Sequence, residues 1–332
     1  MPDALLSLLA FLTAAVVAAP GAATRLYPLL MLAGCVCGLL VLQILPGFPP
    51  VSAADRFLYL LPVLMLADLA ETVLPTRMHR LLRSTALLTP VPLILHQSVW
   101  LTQPAAATIQ GITPTGWLLL AGLTPLPLTG AVLLQRLTTG FGRPAVAAGL
   151  PLNLTCCLLC SAVVIMLGGY LKGGLLALPL AGSMLPFALR NVFAGPRPDR
   201  PLPLTYCWGS LCCLLLIGLF FGRLTPLQCS CFAAIPLVTA LPLPPGSAEH
   251  CGRRQTVIRT VLTALLCSLL LYQAWSVFAV RMLPLLAHRQ QLAEQPFRCC
   301  PADACSATLG QTASAGPPCV HKPPVPPHTP AG

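Results

Sequence analysis

The chain has 332 residues, 56% hydrophobic and 8% charged, with 19 basic against eight acidic side chains and a net charge of +11. A soluble domain carries about 25% charged residues, so this composition excludes a soluble globular fold and indicates an all-α integral membrane protein. The basic residues fall a few at a time in the gaps between apolar runs, with no basic stripe interleaved with aromatics, so membrane lipids and no nucleic acid are expected as partners of the charge.

Crossing a bilayer takes roughly 20 apolar residues per helix. Runs of about that length lie at 4–19, 26–45, 57–76, 84–101, 115–135, 145–168, 173–193, 204–222, 226–245 and 256–280. They predict a polytopic bundle of about ten (9–11) transmembrane helices over residues 1–283, followed by a tail at 284–332. The first run ends in VVAAPGAA, small residues of the kind found at cleavage sites. Its only preceding charge is Asp3, whereas a secretory segment starts with basic residues, so a retained helix is expected there. The tail is rich in Pro and polar residues with little to bury and is expected to be largely disordered, apart from a short surface helix at 285–295.

Proline is abundant, 37 residues in all, and Pro62, Pro90, Pro92, Pro125, Pro127, Pro179, Pro186 and Pro236 fall inside predicted spans. Each removes a backbone donor and clashes with the preceding turn, so many of the helices should kink. Broken helices build substrate sites in transporters. No internal repeat is visible, so symmetric halves are not expected.

Counting cations in alternate gaps sets the orientation. Twelve lie in the odd gaps (Arg25; Arg77, Arg80, Arg83; Arg136, Arg143; Arg190, Arg197, Arg200; Arg253, Arg254, Arg259) against three in the even ones (Arg56, Lys172, Arg223). The positive-inside rule places the odd gaps in the cytoplasm of a cell (inner) membrane and the N-terminus outside. Arg281, Arg289, Arg298 and Lys322 of the tail pull the other way for the C-terminus.

The segment LADLAETVLP, 66–75, places Asp68 and Glu71 three residues apart inside the third run. At about 1.5 Å rise per residue Asp68 is expected near the midplane and Glu71 one turn further towards the cytoplasm, on the same face. An ionised Asp at a helix centre costs roughly 2.5–3.5 kcal/mol in a bilayer, so it must find a partner, face the interior or take a proton. Arg77 is six residues beyond Glu71, past Pro75 and on another face. The partner is therefore expected on another helix, with His96 of the fourth run the nearest candidate. Asp68, Glu71 and His96 together would suit a proton relay or cation site, or would only hold helices together. Arg77, Arg80 and Arg83 in TRMHRLLRS are expected to form a basic loop at headgroup level.

Of the 16 cysteines, Cys35, Cys37, Cys156, Cys157, Cys160, Cys212, Cys213 and Cys267 fall in predicted spans and are expected to pack as small apolar groups. Neither these nor Cys299, Cys300, Cys305, Cys319 and His321 of the tail match a zinc spacing, and no metal or cofactor is expected. GxSxG, HExxH, P-loop and GxGxxG signatures are absent. The functional expectation is a transporter-like protein moving a small molecule or proton past an internal acidic/His site. The alternatives are a non-catalytic membrane subunit or scaffold and, behind it, a membrane-embedded lipid-modifying enzyme using the basic loop.

Overall fold

A computed structural model of the chain describes residues 2–24, 27–96, 98, 100–101, 112–139, 144–195, 202–241 and 251–294. Among the described residues the elements are α1 (Pro2–Ala18), a 3-10 turn (Ala19–Ala23), α2 (Tyr27–Val41), α3 (Ala53–Val73), α4 (Thr76–Leu88), α5 (Pro90–Leu95), α6 (Pro114–Leu123), α7 (Pro125–Thr139), α8 (Pro144–Leu167), α9 (Leu171–Ala194), α10 (Leu204–Phe220), α11 (Pro226–Ala240) and α12 (Cys251–Glu294). Among the described residues five stretches are long and apolar enough to cross a membrane: Ala4–Ala22, Pro114–Thr138, Val146–Leu167, Leu171–Ala194 and Arg254–Arg281. Tyr27–Val41, Leu204–Phe220 and Pro226–Ala240 are apolar but shorter. The protein is therefore all-helical and membrane-embedded.

Two kinds of packing build it. On one side α1, α2 and α9 lie against one another through small residues. Ala10, Ala14 and Ala18 repeat every fourth position of α1 and are fully or nearly fully buried. Gly34 and Gly38 of α2 face them so closely that a Cβ would stand 2.5 Å from the Ala14 carbonyl oxygen and 2.8 Å from that of Ala10. Gly182 of α9 approaches the Phe11 carbonyl to 2.4 Å on the same construction. Such small-residue seams let backbones touch, which drives helix association where lipid removes the hydrophobic driving force between helices. Stacked Tyr27 and Phe187, with ring centroids 5.0 Å apart, extend the α2–α9 contact.

The α8–α9 hairpin turns at Gly169, whose φ of +93° only glycine adopts readily. Its N–H donates to the Met166 carbonyl (2.9 Å) and the Tyr170 N–H to that of Ile165 (3.2 Å), a Schellman closure of α8.

On the other side α10 runs through the centre, with its residues from Leu204 to Gly218 buried on all faces save Cys212. Around it stand α3, α4, α5, α7, α8 and α11. Trp208 enters a notch in α7 where Gly130 has no side chain; a Cβ there would lie 2.3 Å from the ring. The indole N–H donates to the Pro127 carbonyl at 2.8 Å.

The basic segment TRMHRLLRS, expected as a loop, is the first part of α4. Arg, Met and Leu are good helix formers, and the helical path starts well before the apolar run predicted at 84–101 and ends at Leu95. Pro90 and Pro125 open α5 and α7, and Thr89 and Thr124 before them keep right-handed helical angles. These breaks follow from the missing proline N–H. Pro62, Pro179, Pro186 and Pro236 lie inside helices that continue past them.

By its contacts the chain divides into a unit at 1–280 and a second at 281–332, of which the described part is the helical 281–294. The short helix expected at 285–295 falls within this helical stretch as far as residue 294. The cysteines of the tail and His321 lie outside the described residues.

Candidate functional site

Asp68 is 1% exposed, and its partner is not a side chain. One carboxylate oxygen accepts the Thr205 N–H at 3.1 Å and the other the Tyr206 N–H at 2.8 Å. These are the second and third amides of α10, whose cap position is Pro203, a residue with no side chain able to cap. The first amide, Leu204 N–H, donates to the Leu202 carbonyl (2.7 Å), and the fourth, Cys207 N–H, to that of Pro203 (3.0 Å). Pro203 has no N–H and the Cys207 bond is the first of the helix ladder, so the three donors this helix start leaves unpaired, on Leu204, Thr205 and Tyr206, are all met. The carboxylate also lies at the positive end of the α10 dipole. Asp68 is an N-cap supplied in trans by α3.

The buried cations repeat the arrangement at helix C-termini, where unpaired carbonyls gather. Arg56 of α3, 6% exposed, donates to the carbonyls of Ile94 (3.3 Å) and His96 at the end of α5, and to those of Pro50 (3.3 Å) and Val51 (3.1 Å). Arg259 of α12, 3% exposed, donates to the Thr239 (2.5 Å) and Leu241 (3.0 Å) carbonyls at the end of α11. Arg190 of α9 donates to the Ala22 carbonyl, 2.5 Å, in the 3-10 turn after α1.

Asp55 works at its own helix start. It forms a capping box with Ser52, and Lys172 of α9 joins it at 2.9 Å. Asp55 stands two residues ahead of the apolar run that opens at Phe57. Burial alone would raise its proton affinity, but the Lys172 ammonium and the Ser52 hydroxyl and amide outweigh that and hold the carboxyl below its ordinary range.

The expected trio does not assemble. His96 is exposed at the end of α5, and its backbone carbonyl is bound by Arg56. Arg56 and Asp68 are separated by twelve positions of α3, roughly 18 Å along the axis. Glu71 is half-buried, rotated away from α10, and has no hydrogen-bond or ion-pair partner among the described residues.

The basic trio also divides. Arg77 and Arg80 are exposed. Arg83 is 8% exposed and reaches inward to Gln135 of α7 at 2.8 Å. Its other terminal nitrogen, Nη2, His79 Nδ1 and Thr205 Oγ1 are buried without a hydrogen-bond partner. Arg83–Gln135 joins α4 to α7 and Asp68 joins α3 to the α10 N-terminus, and because α4 packs on α3, α7 and α10 these two polar contacts make one knot of helices. Tyr206 leaves this knot with its ring fully buried beside Cys35 of α2 and Ser183 of α9.

The residues not singled out in the sequence are Thr205, Tyr206, Gln135, Arg56, Arg190 and Arg259. One signal was present for α10: RPLPLTYC begins a helix with no Ser, Thr, Asp or Asn at the cap position, so its donors had to be met from elsewhere. Described cysteines are free thiols; Cys157 and Cys267 approach to 3.9 Å and join α8 to α12. No three His, Cys, Asp or Glu side chains converge on a metal position among the described residues. No protein-family model matches the chain, and no curated protein is similar to it in sequence.

Proposed function

We propose that the protein is a non-catalytic, multi-pass membrane subunit or scaffold of the cell (inner) membrane. The observation that carries this reading is Asp68: among the described residues it is the one fully buried carboxylate, and both its oxygens are engaged by α10 amides. Arg56, Arg190 and Arg259 likewise hold helix-end carbonyls, so the buried charge is occupied in joining helices.

The proposed topology has 9–11 spans, with the cation-rich gaps in the cytoplasm and the N-terminus outside. The helix-end contacts support that orientation. Asp68 brings the second half of α3 to the start of α10, and Arg83 ties α4 to the last turns of α7 through Gln135. Arg190 ties the end of α9 to the end of α1, and Arg259 the end of α11 to the start of α12. Those are the gaps rich in arginine. Arg56 and Lys172 of the cation-poor gaps meet Asp55 and the end of α5 at the opposite end of α3.

A transporter-like reading, with a small molecule or proton as substrate, draws support from two buried donors without hydrogen-bond partners, Thr205 Oγ1 next to Asp68 and Arg83 Nη2 on α4. The two readings part in one experiment. In the scaffold, Asp68→Asn lowers the melting temperature of the detergent-solubilised protein equally at neutral and mildly acidic pH, and the wild-type chain purifies from its membrane with another membrane protein. In the transporter, a screened small molecule stabilises the wild type, Asp68→Asn abolishes that shift, and the chain purifies alone. This last outcome would overturn the proposal.

A further inference from the structure

A cavity of about 410 Å³ opens between α7, α10 and α11. That is within the range of ligand sites, about 300–1,000 Å³. Its floor is α10, with Trp208, Cys212, Leu216 and Leu219, and its walls are mostly apolar side chains of α7 and α11, with the Thr129 and Ser230 hydroxyls among them. The Trp208 N–H is already spent on the Pro127 carbonyl and the Thr129 hydroxyl on that of Leu126. The space thus suits a hydrocarbon far better than a polar solute. At its rim Leu126, Leu133 and Ala234 are exposed on the outer surface of the bundle, so the groove opens sideways, where acyl chains lie.

The occupant is specified by what lies beyond the groove. Leu126, Thr129 and Leu133 line it from α7. With Arg136 they stand at i, i+3, i+7 and i+10, one continuous helix face. Arg136 is exposed and lies in the last turn of α7. It stands about 4.5 Å along the axis past Leu133, at the end of α7 where the polar knot and the exposed Arg80 of α4 also gather. A hydrocarbon slot ending in a cation on the same face matches one amphiphile, an acyl chain carrying a negatively charged head.

We propose that the α7–α10–α11 groove is a binding site for one acyl chain of an anionic phospholipid whose phosphate is held at Arg136. Small residues keep it open: Ala233 and Ala234 line it where larger side chains would fill it, and Gly130 admits the Trp208 ring that forms its floor. This site stands on the cavity and on Arg136, and not on the scaffold reading.

The full chain is reconstituted in phosphatidylcholine vesicles containing a few per cent of phosphatidylglycerol with a diazirine in its acyl chain, or of the matching diazirine phosphatidylcholine, and labelled peptides are mapped after photolysis. The label is expected on the peptides of α7 and α11, with the anionic probe favoured about fivefold, the scale of one basic group acting on a charged lipid. Arg136→Gln, a surface change that leaves the melting temperature unaltered, brings the anionic probe down to the level of the zwitterionic one. Ala234→Trp, also at an exposed position, lowers labelling by both. Label spread evenly over the lipid-facing helices in wild type and Ala234→Trp would overturn the site. A preference unaltered by Arg136→Gln would overturn the headgroup assignment. Absence of label together with cross-linking of the groove to another polypeptide would assign it to a protein partner and equally overturn the proposal.

Discussion

The α1–α2–α9 side and the α3–α4–α10–α11 side of the molecule are joined by different means. In the first, α1 and α9 belong to stretches long enough to cross a bilayer, and they meet α2 through Ala10, Ala14, Gly34, Gly38 and Gly182, backbone against backbone. In the second, α5, α10 and α11 are short and their ends are buried against neighbours, so unpaired amides and carbonyls are brought inside. Without water such groups need partners from the protein, and Asp68, Arg56 and Arg259 supply them. A chain with so few charges has placed its buried ones where helices stop, and none of them serves the small-residue seam between α1 and α2.

The comparison breaks most sharply at Asp68. Asp68→Ala orphans two buried amides, a loss of about 3 kcal/mol; melting of the detergent-solubilised protein and denaturant titration check it, and Asp68→Asn should lose about half as much.

The seam is tested next by Gly182→Val, which places a branched side chain where even a Cβ stands 2.4 Å from a carbonyl oxygen. Overpacking of this kind costs about 1–3 kcal/mol and should loosen α1 while leaving exchange of the α10 amides unchanged. Arg259→Met keeps the length of the side chain and drops its donors, freeing the Thr239 and Leu241 carbonyls for about 2 kcal/mol. Limited proteolysis within 242–250, the stretch between α11 and α12, should accelerate in this variant alone.

The smallest effect belongs to Lys172→Met at the half-exposed Asp55 pair, under about 1 kcal/mol. The Asp55 carboxyl is held below its ordinary value, so its stabilisation is present above about pH 4, the unfolded value. It is lost as pH falls through the lower folded value. The difference in melting temperature between wild type and Lys172→Met should therefore vanish in strong acid.

Much of the architecture was legible from hydropathy. The runs at 145–168, 173–193 and 204–222 nearly coincide with α8, α9 and α10, because a long apolar segment bounded by Pro, Gly or Arg leaves little choice. The start of α4 was hidden by its arginines, which lower hydropathy without opposing a helix. Burial of Asp68 was legible too, from the cost of a carboxylate in an apolar helix. Its partner was not, because the search was for a side chain. The groups that answer it are backbone amides 137 and 138 positions away, and an amide carries no residue identity to read. Glu71, three residues from Asp68, shows the converse: shared helical spacing placed it close by, yet the modest rotation between them leaves it half-exposed and outside the knot.

Hydrogen exchange of the Thr205 and Tyr206 amides, compared between wild type and Asp68→Asn in the same detergent, addresses the role of Asp68 most directly. If Asp68 caps α10 in trans, both amides are protected in the wild type and lose about tenfold or more of that protection in Asp68→Asn, as for a lost hydrogen bond of about 1.4 kcal/mol, while amides of α1, α2 and α9 keep theirs. Equal exchange at Thr205 and Tyr206 in both proteins would contradict it.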